Sequence, residues 1–269
     1  MIKLIATDMD GTLVDNKGKI NDKVFDLIHE FDDKNVKFVA ASGRFYSQLN
    51  NNFNKVNGDM ILIAHNGAVV KYNNNGKTLY ANAIKKEDIE SVMNYKLSLD
   101  GFVFLGGESD AYAINPSEEL LDKFAKSEVP VVVLKSLEDI NVPIYKITYY
   151  IAEGASDEFV EDLRRNISDN LEIVVSGYNW VDVMNKGVDK GSAVRILQEK
   201  FQIAPKNTMV FGDYYNDLSM FKVAHHSYAM KNAPEDVKKK ANFIADSNEN
   251  DGVYKVLNEC IKKLRENKR

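Results

Sequence analysis

Asp8-Met9-Asp10-Gly11-Thr12 stands where a short apolar run, Leu4, Ile5 and Ala6, gives out. Aspartate is depleted in strands, and a buried carboxylate needs a partner or a metal. Two acids one residue apart are therefore a poor continuation of a strand. At the C-terminal end of one they make chemical sense. The ligand crevice of an open parallel sheet lies there, and an aspartate can attack phosphorus as a covalent nucleophile. That chemistry needs partners from elsewhere: a carboxylate to share a metal, a cation for phosphate, and a hydroxyl or amide donor.

Three further segments offer them. Gly212-Asp213-Tyr214-Tyr215-Asn216-Asp217 again puts acids after an apolar strand. Asp8 and Asp213 could share one Mg²⁺, which takes oxygen ligands and keeps waters while it binds substrate phosphate. Lys190 opens a helix, where a cation meets the positive end of the dipole unless an anion sits there too. Ser42-Gly43-Arg44 joins a strand to a helix and combines a hydroxyl, a glycine and unpaired helix N–H groups, an anion cradle. Each segment has a plain alternative: a surface turn rich in Asp and Asn, a solvated Lys190, and Ser42 as a simple N-cap.

The elements that must position these residues follow from periodicity. Strands at 4–7, 36–41 and 60–64 alternate with helices at 22–34 and 45–53, the rhythm of βαβ units and a parallel sheet. A hairpin follows, 69–72 and 78–81 around Asn-Asn-Asn-Gly-Lys. The character then changes. Helices at 86–99, 117–126 and 156–169 mix with hairpins 102–105/111–114 and 171–176/180–184 and with strands at 131–134 and 144–151. This is the pattern of an α+β unit with a mainly antiparallel sheet. After Asn185-Lys186-Gly187 the α/β rhythm returns: helices at 191–201 and 217–223, strands at 208–211, 227–230 and 242–244, and a last helix over 247–269. The fold expected is α/β, a Rossmann-like parallel sheet flanked by helices. Residues 1–82 and 187–269 form the core, and 83–186 form an inserted α+β domain.

Composition narrows the class. The 269 residues are enough for a sizeable core, and a net charge of −5 gives no general attraction to nucleic acid or an anionic membrane. The basic ending, Lys262, Lys263, Arg265, Lys268 and Arg269, suits a solvated helix end. One cysteine, Cys260, forbids an intrachain disulfide, and no apolar run approaches the roughly 20 residues of a membrane span. With no signal-peptide pattern, the cytoplasm is the expected compartment.

Taken in order, Asp-x-Asp-Gly-Thr, Ser-Gly-Arg, Lys-Gly and Gly-Asp-x-x-Asn-Asp resemble the haloacid dehalogenase-like hydrolase superfamily, in particular its Cof-type phosphatases. The resemblance runs nearly end to end. It includes Asn66-Gly67-Ala68 and an insert like the family's type IIB cap, which would close over the core, exclude water and choose the leaving group. It implies Asp8 as the nucleophile that becomes an aspartyl-phosphate, and Asp10 as general acid and then base. It also implies phosphoryl contacts from Met9, Ser42, Gly43, Lys190 and Asn216, and a substrate contact from Arg44. Mg²⁺ would rest on Asp8, the Asp10 carbonyl and Asp213, with Asp217 orienting the site. For such chemistry the Asp10 carboxyl should be raised in pKa or coupled to its neighbours. Tyr214-Tyr215 is bulkier than the pair expected there and would narrow the mouth.

The function expected is a Mg²⁺-dependent phosphatase for a small phosphorylated metabolite such as a sugar phosphate. It would act as a monomer or weak homo-oligomer, with neither nucleic acid nor membrane as partner. The rivals are a phosphotransferase or phosphomutase of the same superfamily and a non-catalytic phosphate-binding regulator. His225-His226 lacks Cys or His partners at ligand spacing and is set aside as a metal site. Tyr178 and Trp180 suit packing at least as well as a substrate pocket, and Phe102, Phe104 and Tyr112 read as sheet core.

Overall fold

The computed structural model describes residues 1–127 and 129–266, so Lys268 and Arg269 of the basic ending lie outside the described residues. The chain divides into two compact units. The first comprises residues 1–44, 49–80 and 189–269; the second comprises 45–48 and 81–188.

In chain order the first unit opens with β1 (Leu4–Asp8), α1 (Asp22–Asp32) and β2 (Lys37–Ala41). Then come α2 (Tyr46–Asn52), β3 (Ile61–Ala64), β4 (Val69–Tyr72) and β5 (Thr78–Ala81). The insert supplies α3 (Lys86–Met93), β6 (Gly101–Gly106), β7 (Ala111–Ile114), α4 (Glu118–Ser127) and β8 (Val131–Leu134). It ends with β9 (Lys146–Ile151), α5 (Asp157–Asn166), β10 (Leu171–Gly177) and β11 (Trp180–Asn185). The chain returns with α6 (Lys190–Phe201), β12 (Thr208–Gly212), α7 (Leu218–Val223), β13 (His226–Met230), α8 (Glu235–Lys238), β14 (Phe243–Ala245) and α9 (Gly252–Glu266).

The first unit is built on an eight-stranded sheet in the order β14-β13-β12-β1-β2-β3-β4-β5. Pairing is parallel from β14 through β3, and β4 runs antiparallel to β3. The central strands are buried throughout, as befits a parallel sheet covered on both faces. Leu4, Ala6, Val39, Ala41, Ile61 and Ile63 share one core cluster with Ala193, Val194 and Leu197 of α6 and Met220 and Phe221 of α7. Because β12, β1 and β2 are adjacent and parallel, with Thr7 opposite Phe211 and Asp8 opposite Ala41, their C-terminal ends open on one edge. That edge carries all three strand-end motifs.

The second unit holds a six-stranded sheet, β10-β11-β9-β6-β7-β8. It is antiparallel except where β8 joins β7 in parallel. One face packs Leu105, Ile147, Tyr149, Ile151, Val181 and Val183 against Ile89 and Val92 of α3 and Phe159 and Leu163 of α5. On the other face Phe102 and Phe104 cluster with Ala111, Ala113 and Phe124. Tyr150 and Trp180, 4.9 Å apart, lie against this cluster, so Trp180 serves packing here, while Tyr178 is exposed.

Several expected helices are shorter than their sequence pattern, among them that over 156–169, which spans Asp157–Asn166, and two are shortened most. The one expected over 86–99 stops at Met93, because Tyr149 Oη and the Tyr95 amide both donate to the Val92 carbonyl, ending the i→i+4 ladder. The last helix begins at Gly252 rather than at 247, because Asp251 adopts a left-handed conformation, φ 55°, and turns the chain first.

Candidate active site

β1 ends in Asp8, and the chain turns through Met9–Leu13 with Gly11 at φ 77°, a value glycine adopts without strain. A β-carbon on Gly11 would stand 2.3 Å from Asp213 Oδ2, so the turn and the β12 end approach as closely as a glycine allows. Asn232 Nδ2 holds the Gly11 carbonyl at 2.8 Å, and Thr12 Oγ1 donates to Asp213 Oδ1 at 2.9 Å. Neither Thr12 nor Asn232 was singled out by sequence reasoning. Thr12 stood inside the motif, while Asn232 lies 221 residues from Gly11 and carries no local signal.

Lys190 is the first residue of α6, whose Asp189 N-cap accepts from the Ser192 amide at 2.6 Å while Ser192 Oγ accepts from the Asp189 amide at 3.0 Å. A β-carbon on Gly191 would meet the Ser219 carbonyl oxygen at 2.3 Å, so the α6 start lies tight against the α7 start. This aims Lys190 inward. Its side chain is 1% exposed, so the solvated alternative is excluded. Lys190 Nζ donates to Asp8 Oδ1 at 2.5 Å and to Asp217 Oδ1 at 2.7 Å. The other oxygen of Asp217 accepts the amides of Asp213 and Tyr214, at 2.9 and 3.1 Å, so both of its oxygens are engaged.

Asp8, Asp213 and Asp217 each offer an oxygen within 4.8 Å of the others. Among the described residues Asp8 Oδ2 and Asp213 Oδ2 take no hydrogen bond, since Lys190 and Thr12 occupy the opposite oxygens. Two open carboxylate oxygens beside a third, engaged acid fit an oxygen-seeking cation such as Mg²⁺. Three acids around one ammonium also have an electrostatic cost. Burial pushes the Asp8 carboxyl up, against the pull of Lys190, and Asp217 and Asp213 push it further. Burial and then Asp217 hold Asp213 up at about 6. Asp217 and Asp8 in turn keep the Lys190 ammonium firmly protonated, outweighing its burial. The raised carboxyls among these three acids are therefore Asp8 and Asp213.

Asp10 is held differently. Its side chain is 60% exposed and lies in a two-pronged pair with Arg44, Nε to Oδ2 at 2.9 Å and Nη2 to Oδ1. Arg44, expected to meet substrate, also donates through Nη1 to Asn52 Oδ1 at 3.1 Å. Ser42 follows β2, is buried, and its Oγ accepts the Arg44 amide at 3.2 Å, which leaves the hydroxyl proton to donate. Gly43 lies against Asn66: a β-carbon there would be 3.2 Å from the Asn66 amide atoms. Asn216 Nδ2 reaches Asn66 Oδ1 at 3.4 Å. Met9 is fully buried and its carbonyl accepts the Val14 amide. Tyr214 and Tyr215 are about half exposed, and the Tyr215 hydroxyl is 3.3 Å from Asp236.

A sequence model of haloacid dehalogenase-like hydrolases matches residues 5–257. The chain is 28% identical over 267 residues to the 5-amino-6-(5-phospho-D-ribitylamino)uracil phosphatase YbjI of Escherichia coli, covering 97% of each. It is likewise 28% identical to the enzyme of that name, YcsE, from Bacillus subtilis, covering 97% of this chain and 96% of that one. Among solved structures, BT1666 of Bacteroides thetaiotaomicron is a phosphatase of the haloalkanoate superfamily. It superposes with a TM-score of 0.81 at 26% identity, over 96% of this chain and 95% of that one. With the acids and lysine of the strand-end motifs gathered at one sheet edge and the family match spanning both units, the chain belongs to the haloacid dehalogenase-like hydrolases, as a Cof-type phosphatase acting on phosphoric monoesters.

Proposed function

We propose that this phosphatase hydrolyses a small phosphorylated metabolite, a sugar phosphate or similar compound, in two steps through an aspartyl-phosphate on Asp8. The observation that carries the reading is the buried Asp8–Lys190–Asp217 chain beside Asp213 at the ends of β1 and β12. In the first step an Asp8 carboxylate oxygen attacks phosphorus. As that bond forms, the bond to the leaving oxygen breaks, and the oxygen takes the electron pair together with a proton from Asp10. In the second step water attacks phosphorus and gives a proton to Asp10. The Asp8 oxygen–phosphorus bond then breaks, returning its electrons to the carboxylate and releasing inorganic phosphate.

Asp8 and Asp213, with the Asp10 carbonyl, are the residues that would hold Mg²⁺, and Asp217 would fix their orientation through its two backbone amides. When bound, the metal supplies positive charge that offsets the repulsion between a carboxylate and a phosphate dianion. Lys190 stabilises the same charge from the buried side. The Ser42 hydroxyl and the amides of Met9 and Gly43 hold phosphoryl oxygens, and Asn216 adds a donor. Positioning of this kind supplies much of the rate. The inserted unit is the type IIB cap that selects the leaving group, and a reducing cytoplasm suits a chain with one cysteine.

The names borne by two relatives make ribitylaminouracil phosphate the first compound to test, followed by hexose, pentose and polyol phosphates. The experiment is phosphate release from this panel with Mg²⁺, for wild type and Asp8→Asn. Loss of turnover in the variant is expected. Equal turnover would overturn the mechanism, full activity in excess EDTA would remove the metal from it, and transfer that needs a bisphosphate activator would make the enzyme a mutase.

A further inference from the structure

We propose that Arg44 is the positioning residue of Asp10, acting on the reaction through that carboxylate rather than by holding the substrate; the assignment rests on Asp10 being the proton carrier. A proton carrier must present one oxygen to the leaving group along a defined direction. The Asp10 side chain is exposed, and among the described residues Arg44 alone hydrogen-bonds it. Without that fork, an exposed carboxylate on a turn rotates freely about its side-chain bonds.

Arg44 is itself fixed at both ends. Its amide donates to Ser42 Oγ at 3.2 Å, its carbonyl accepts the His65 amide at 3.0 Å, and its Nη1 is tied to Asn52. One residue therefore braces the loop that follows β2 to the turn that follows β1. The planar guanidinium makes the brace specific, because two parallel N–H bonds fix the plane of the carboxylate, as an ammonium does not. Each Asp10 oxygen accepts one bond from Arg44 and keeps a second lone pair, so a proton can reach or leave either oxygen while the fork holds the group in place.

The test is leaving-group dependence. Nitrophenolate departs from p-nitrophenyl phosphate without a proton, whereas phenolate, with a pKa of about 10 like tyrosine, is helped by one. Arg44→Gln is expected to raise the ratio of kcat/KM for p-nitrophenyl phosphate over phenyl phosphate by about 10- to 100-fold. Arg44→Lys should do the same, since it keeps the charge and loses the fork. In an Asp10→Asn background neither variant should change the ratio by more than about twofold, because coupled residues act as one unit. Both should melt within a few degrees of wild type.

An equal loss on both esters would make Arg44 a substrate-binding residue and overturn the assignment, as would a wild-type ratio in Arg44→Lys. If Asp8→Asn is inactive while Arg44→Gln keeps the wild-type ratio, the role of Arg44 alone falls. If Asp8→Asn hydrolyses both esters like wild type, the aspartyl-phosphate reading falls first.

Discussion

Each unit of this protein buries a lysine among carboxylates, and the two clusters are built to different ratios. In the inserted unit Lys146 on β9 pairs with Asp182 on β11 at 3.2 Å, and Thr148 donates to the same carboxylate at 2.7 Å. In the first unit Lys190 faces Asp8 and Asp217, with Asp213 within reach of both. Asp182 has both oxygens satisfied by its neighbours, whereas Asp8 and Asp213 each keep one open. A buried charge is tolerable when matched and costly in excess. The surplus of acid at the β1 and β12 ends supports the proposal that a cation and a phosphate meet there.

The largest expected effect separates the clusters by activity. Lys190→Met should lower kcat about 1,000-fold or more, the equivalent of about 4 kcal/mol of transition-state stabilisation, measured by phosphate release. Next, Asp182→Asn, which removes a buried carboxylate charge beside Lys146, should destabilise the protein by about 3 kcal/mol in urea titration. Third, Mg²⁺ at a hundred times its dissociation constant should stabilise wild type by about 2.7 kcal/mol. Asp213→Asn should lose that gain and Asp182→Asn should keep it; a calorimetric melt with and without EDTA reads both. If Asp182→Asn also loses the gain, the contrast between the clusters is wrong.

The smallest effect has an unusual sign. Asp213 is raised in the folded protein from the ordinary 3.8 to about 6. Between those values the folded state binds more protons than the unfolded one, so stability falls as pH rises. In EDTA, the urea midpoint of wild type should compare best with that of Asp213→Asn at pH 4 and lose ground to it up to pH 6, by roughly 1 kcal/mol once solvent screening is counted. Above that pH the Asp213 contribution is constant, and Asp8, also raised, extends the decline. Saturating Mg²⁺ should flatten the slope, because the metal favours the ionised acids. A flat profile in EDTA would mean that Lys190 already balances the site.

Much of this was legible along the chain. Alternation of apolar runs with amphipathic helices required a parallel sheet, and a parallel sheet brings the residues after β1, β2 and β12 to one edge whatever the loops do. That is why Asp8, Ser42 and Asp213 could be grouped from sequence. Lys190 could not be separated from a surface lysine, because its burial depends on Gly191 meeting Ser219, a contact 28 residues away. The partner of Arg44 was equally hidden. A guanidinium beside an anion cradle suits a substrate as well as a carboxylate, and only the turn at Gly11 brings Asp10 within its reach. Asn232 carried no signal at all.

The sequence by itself determined the order of elements, the insertion and the acids at the strand ends, since these follow from local periodicity and residue chemistry. The tertiary structure alone decided how charge is shared among them. Lys190 is buried between Asp8 and Asp217, Asp8 and Asp213 each keep an oxygen open, and Asp10 answers to Arg44. The physical reason is that a carboxylate's role depends on its neighbours within a few ångströms and on its distance from water, and neither is written in the spacing of residues along a chain.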